Sequence, residues 1–143
     1  MALNQGDRAP DFPLPEGGRF TDLRKPAVVY FYPKDDTPGC TIEAQEFRDV
    51  YDEIRAAGAE VFGVSTDDAA SHDAFCQKYN LNFPLIPDPD KAISQQYGVL
   101  GDHGYANRVT YLVDRDGVVR QVWPQVNPQG HAREILQAIN NLA

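Results

Sequence analysis

Cysteine and histidine are scarce in this chain: two cysteines, Cys40 and Cys76, and three histidines set far apart, His72, His103 and His131. Two cysteines are too few to staple a small secreted scaffold, and such a thiol pair points instead to catalysis or redox sensing. With the histidines they show no zinc-type ligand spacing, so no metal site is expected. Basic residues are also few, 13 Lys and Arg against 21 Asp and Glu, for a net charge of −8. Nucleic acid and anionic membrane surfaces both require a basic footprint, so neither is an expected partner. No apolar run approaches the roughly 20 residues of a membrane span. Met1 to Asp7 has no basic segment followed by an apolar stretch, which predicts no secretory signal and a cytoplasmic protein. A mature form stripped of a transit peptide would look the same. There is no phosphate-cradling glycine loop either. The run from Gly98 to Gly104 has the wrong spacing and does not lead from strand into helix, so no cofactor is expected.

What is present is an ordinary globular composition, 42% hydrophobic and 24% charged over 143 residues. That is the size of one domain, expected to span 1–143. Phe12-Pro13-Leu14 and its proline- and glycine-rich surroundings read as an extended arm, with a hairpin at Glu16-Gly17-Gly18. Ala27 to Tyr32 is apolar throughout and β-prone, as a central strand covered on both faces should be. From Cys40 to Ala57 the residues Phe47, Val50, Tyr51, Ile54 and Ala57 recur at helical spacing, and Gly58 supplies a stop.

Val61 to Ser65 reads as a second buried strand. Thr66-Asp67-Asp68 then offers caps for a helix carrying Ala69, His72, Phe75, Cys76 and Tyr79. Phe83 to Ile86 is a short strand that its proline places at an edge or a strand start. Asp88-Pro89 reads as an N-cap and first-turn proline opening a helix through Tyr97 to Gly98. Val109–Val113 and Val118–Trp123 flank the turn Asp114-Arg115-Asp116-Gly117 as an antiparallel hairpin. A last helix is expected to open near Asn127-Pro128 and to bury Ala132, Ile135, Leu136 and Ile139. The order β-α-β-α-β-α-β-β-α predicts an α/β fold of thioredoxin-like type: a mixed central sheet flanked by helices, with an N-terminal extension.

The chemistry concentrates in Pro33-Lys34-Asp35-Asp36-Thr37-Pro38-Gly39-Cys40. This polar, proline-rich loop ends where the long helix begins. A helix start presents free backbone N–H groups and the positive end of the macrodipole, both of which favour a thiolate, the reactive form. Most free cysteines are inert buried hydrophobes. A cysteine between such a loop and a helix start is poorly placed for packing alone, so Cys40 is the candidate nucleophile.

Pro33-x-x-x-Thr37-x-x-Cys40 matches the active-site motif of the peroxiredoxins. The wider string Tyr30 to Thr41 resembles their peroxiredoxin Q, or bacterioferritin-comigratory, branch. The likeness continues through Glu43-Ala44, Phe47-Arg48-Asp49, Val61 to Ser65, Phe83-Pro84-Leu85, Asp88-Pro89-Asp90, Arg108 to Asp114 and Gly130-His131. The resemblance implies a thioredoxin-fold peroxidase for hydrogen peroxide and organic hydroperoxides, recycled by thioredoxin or a similar dithiol and monomeric. It implies Cys40 as peroxidatic nucleophile, Thr37 as a hydroxyl that hydrogen-bonds the peroxide, Pro33 as a shield of the pocket, and Arg108 as holder of the thiolate and the substrate oxygens. Complete ionisation of a free cysteine gains only about 30-fold at neutral pH. The larger contribution should come from donors aimed at the departing oxygen. Glu43 reads either as an orienter of Arg108 or as a solvated first-turn acid.

Attack on peroxide leaves a sulfenic acid that condenses with a second thiol. Many members of the branch carry that thiol five residues after the first, where this chain has Gln45. The resemblance extends to a subgroup that resolves from the next helix, where Cys76 stands. Cys76 also fits a core stripe with Phe75 and Tyr79. A disulfide needs Cα atoms within about 7 Å, so bonding to Cys40 is expected to unwind the first turn of its helix and part of the Cys76 helix. The alternatives are a one-cysteine peroxidase served by an external thiol, a non-enzymatic redox sensor, or a structural domain with inert thiols. A thioredoxin-type reductase is disfavoured because Thr37 stands where C-x-x-C needs its first cysteine. His103 and Tyr105 are candidate contacts for substrate or reductant.

Overall fold

A computed structural model describes residues 3–142 of the chain. Its elements are β1 (Ala27–Phe31), α1 (Pro38–Ala56), β2 (Glu60–Ser65), α2 (Ala69–Tyr79), β3 (Leu85–Pro87), α3 (Ala92–Gln96), β4 (Val109–Val113), β5 (Val119–Trp123) and α4 (His131–Asn140). The five strands form one sheet in the order β3-β2-β1-β4-β5. β1, every residue of it buried, lies at the centre. It pairs parallel with β2 and antiparallel with β4, while β3 extends β2 in parallel and β5 completes the hairpin with β4.

Period-two alternation splits β1 between two cores. Val28 and Tyr30 face one cluster with Phe47, Val50 and Ile54 of α1 and Ile135 of α4. Ala27, Val29 and Phe31 face the other, with Phe12 and Phe20 of the N-terminal arm, Tyr97 and Tyr111. Each fully buried side chain of this size contributes about 1.5–3 kcal/mol relative to exposure. Removing the Phe47 ring, which stacks on Tyr30 at 4.7 Å between centroids, would cost about 3–5 kcal/mol.

The register positions the chemistry. Phe31, the last residue of β1, pairs with Val64 on one side and Val109 on the other. The loop after β1 therefore emerges beside the residue before β4, which is Arg108. The expected arm hairpin is present, with Leu14 N–H donating to Gly18 O and Gly17 at a φ of 102°.

Two expected helix starts move. α3 begins at Ala92 after Lys91 in a left-handed conformation, φ 66°, so Asp88-Pro89 is a turn and not the helix's first residues. Asp88 still caps it from a distance: its carboxylate accepts from the N–H groups of Ile93 and Ser94 and from the Ser94 hydroxyl. α4 begins at His131, because Gly130 adopts a φ of 86° and Asn127 Oδ1 closes a local turn on Gln129 N–H.

Candidate active site

The loop after β1 enters α1 through Thr37, the N-cap residue, with Pro38 as the first helical residue. Proline is suited there because its missing N–H would have had no partner. The Thr37 hydroxyl donates to Lys34 O at 2.9 Å, folding the loop back on itself. Its oxygen lone pairs remain for an incoming O–H donor. Cys40 lies in the first turn of α1 and is 2% exposed. Pro33 is half-buried behind it in the chain.

Arg108 Nη2 donates to Cys40 Sγ at 3.3 Å, and Nη1 donates to Glu43 Oε1 at 2.7 Å. One guanidinium thus spans the first turn of α1. Gly39 makes room for it, since a Cβ there would lie 3.1 Å from Arg108 Nη2. Glu43 is wholly buried, which overturns its reading as a solvated acid. Its Oε2 is without a hydrogen-bond partner among the described residues, as is Tyr30 Oη. Burial pushes the Glu43 carboxyl up to about 7, against the pull of Arg108 and with a contribution from Glu46.

Cys76 sits in the last turn of α2, half-buried, and neither cysteine is disulfide-bonded. Burial, then the charges of Asp35 and Asp73, push its thiol up. α2 is pinned to the active-site loop on both sides of Cys76, a feature with no local signal in the sequence. Near its start, Ser71 Oγ and His72 Nδ1 each lie 2.7 Å from Asp35 Oδ2, and Tyr32 Oη donates to Asp35 Oδ1. Burial works against the Asp35 charge, yet the hydrogen bonds of His72, Tyr32 and Ser71 hold its carboxyl below the ordinary 3.8. Near the end of α2, Lys78 Nζ and Tyr79 Oη both reach the carboxylate of Asp36, which adopts a φ of 60°. The Asp35 link is closed to solvent and the Asp36 link is open to it.

Asp35, Asp67 and His72 bring ligand-type atoms within 4.8 Å of one another. Each is already engaged: Asp67 Oδ2 accepts from Asp35 N–H and Ser65 Oγ, and His72 Nε2 faces Ile86 O. The cluster reads as hydrogen-bonded scaffolding. His103 and Tyr105 stack on each other at 3.7 Å between centroids. Among the described residues no helix is long and apolar enough to cross a membrane.

A sheet of this order carrying a cysteine at a helix start under an arginine defines a thioredoxin-like thiol peroxidase. The AhpC/TSA family model matches residues 5–122, and the chain belongs to that peroxiredoxin family. Within it the likeness is to the peroxiredoxin Q and bacterioferritin-comigratory branch. A protein of Coxiella burnetii described as peroxiredoxin bcp is 44% identical over 148 residues, covering 95% of this chain and 98% of that one. The chloroplastic peroxiredoxin Q of Oryza sativa subsp. japonica is 43% identical, covering 98% and 68%. Among solved structures, Xanthomonas campestris peroxiredoxin Q superposes with a TM-score of 0.86 at 33% identity, covering 99% and 98%.

Proposed function

We propose that Cys40 is the sulfur that attacks the peroxide, that Cys76 then closes a disulfide on it, and that thioredoxin or a similar dithiol restores the pair. Family membership makes the chain a peroxidase and sets aside the sensor and structural readings. The assignment of Cys40 is carried by the 3.3 Å contact of Arg108 on a sulfur at a helix start. Arg108 there supports both the thiolate and the negative charge that grows on the departing oxygen. Thr37 accepts the peroxide O–H while Pro33 limits water. Organic hydroperoxides are included as substrates because the related X. campestris protein was solved in connection with alkyl peroxide reduction.

Cys76 as resolving thiol is supported by its place in the one-turn C-terminal end of α2. Its carbonyl accepts both the Asn80 and the Leu81 N–H groups, so loss of that cap frees the residue. X. campestris peroxiredoxin Q was also solved with either of two cysteines replaced, and those two stand at the same spacing as Cys40 and Cys76. One domain acting as a monomer in the cytoplasm is part of the same proposal; the plant relatives described as chloroplastic make the compartment its least constrained element. Peroxide consumption with a thioredoxin system, comparing wild type with Cys40→Ser and Cys76→Ser, is the test. Loss in both variants supports the two-cysteine cycle, loss in Cys40→Ser alone makes it a one-cysteine enzyme, and loss in neither removes the assignment of Cys40.

A further inference from the structure

One guanidinium serves two acids at the start of α1. Arg108 stays charged at any working pH, with one nitrogen 2.7 Å from Glu43 Oε1 and the other 3.3 Å from Cys40 Sγ. Ionising both acids would set two negative charges against one positive charge, and Glu43 is wholly out of water. A buried carboxylate is costly unless every oxygen is paired, and Glu43 Oε2 has no partner among the described residues. The surrounding groups do not correct this. Glu46 on α1 adds negative charge, the Tyr30 hydroxyl of β1 is neutral and pushed far up by burial, and burial holds His131 of α4 toward its neutral form.

We propose that Glu43 keeps a proton while Cys40 carries the negative charge, and that this carboxyl proton balances the departing oxygen during peroxide reduction. The proposal rests on Cys40 being the attacking sulfur. The thiolate attacks one peroxide oxygen, an S–O bond forms, the O–O bond breaks, and two electrons pass from sulfur to peroxide. The attacked oxygen keeps its hydrogen as the sulfenic acid. The departing oxygen takes a proton from a water molecule of the medium to become water or an alcohol, and Glu43 returns its own proton to the medium, ending the step as a carboxylate paired with Arg108. Charge is −1 on each side.

With the thiolate gone, Arg108 has a single acid to serve, which is why the proton can leave Glu43 at that moment. The position of the Glu43 carboxyl near neutrality fits a group that changes state within the cycle. Glu43 touches neither sulfur nor substrate and works through Arg108, so it is a positioning residue that also stores a proton. Its neutral form leaves the guanidinium charge to Cys40 and the departing oxygen, and its ionised form draws that charge away.

Infrared difference spectra of reduced and peroxide-oxidised protein at about neutral pH read the proton directly. The reduced protein should show a protonated-carboxyl band that oxidation removes. The band should shift with isotopically labelled glutamate, stay fixed with labelled aspartate, and be absent from Glu43→Gln. In parallel, the rate constant for Cys40 oxidation should fall severalfold in wild type as pH rises through the Glu43 titration. In Glu43→Gln, whose amide oxygen still accepts from Arg108, it should stay level over that range. A reduced wild-type protein without a glutamate-sensitive carboxyl band overturns the proposal, as does an alkaline fall that persists in Glu43→Gln. Labelled wild type needs no variant to fold. A Cys40→Ser protein that still consumes peroxide would instead defeat the reading of Cys40 itself.

Discussion

Arg108 and Cys40 are 68 residues apart in the chain and 3.3 Å apart in the fold, joined by a guanidinium nitrogen on sulfur. The β1–β4 register brings them together, since Phe31 pairs with Val109 at the end of one strand and the start of the other. Arg108→Ala should therefore lower kcat/KM for hydrogen peroxide by about 10²–10³-fold, as loss of one transition-state donor does elsewhere. Arg108→Lys should recover little, because one ammonium cannot reach both Glu43 and Cys40 in fork geometry. Steady-state kinetics with unchanged far-ultraviolet circular dichroism checks this.

Gly39 is needed for what it lacks. A methyl group there would stand 3.1 Å from Arg108 Nη2, so Gly39→Ala must push the guanidinium away by a few tenths of an ångström. The expected outcome is a loss on the order of 10-fold in peroxide reactivity. Thermal stability should stay near wild type, since alanine suits a helix better than glycine.

The Asp36 link to Lys78 and Tyr79 closes the last turn of α2 around Cys76. Lys78→Met or Tyr79→Phe should speed formation of the Cys40–Cys76 disulfide by about 2- to 5-fold, the range of an exposed ion pair. Raising salt should do the same in wild type and in Tyr79→Phe, and less in Lys78→Met, which has lost the ion pair. Stopped-flow oxidation with mass analysis of the linked peptide measures it, and the first step, sulfenic acid formation, should not change.

Asp35 couples folding to pH. Its carboxyl is held below the ordinary 3.8 by hydrogen bonds from His72, Tyr32 and Ser71 that outweigh burial. The folded state thus binds this proton less readily than the unfolded chain does. The stabilisation is present above the unfolded value and is lost as pH falls through the folded one. Urea unfolding of Asp35→Asn should show a loss of about 1–3 kcal/mol near neutrality. It should also show a shallower decline toward acid than wild type.

The strands were legible because their apolar runs are short, β-prone and bounded by turn residues. Val109 to Val113 stands as read, and the run read from Ala27 to Tyr32 ends one residue sooner, at Phe31. Cys40 could be named as the candidate nucleophile from its flanks alone, whereas Arg108 became a candidate only through likeness to a family. Other parts of the site carried no local signal. Asp35 and Asp36 read as loop polarity because their partners on α2 lie 36 to 43 residues away. The partner of buried Glu43 is a side chain 65 residues distant. The α3 start was misplaced because a left-handed lysine, which no composition rule favours, intervenes between Asp88 and the helix it caps.

Both margins of the sheet are shortened. On one side the N-terminal arm pairs along the start of β5, with Gly6 N–H on Val119 O, Val119 N–H on Asp7 O and a bridge from Arg8 to Val118. On the other, β3 is three residues long and ends in proline. Both features shorten the row of free amides on which strands from another copy could template. An enzyme whose helices loosen at each turnover is repeatedly exposed to misassembly. In the proposed two-cysteine cycle the loosening falls on α1 and α2 and not on these margins, so repeated oxidation is expected to leave the open edge as short as it is in the reduced protein.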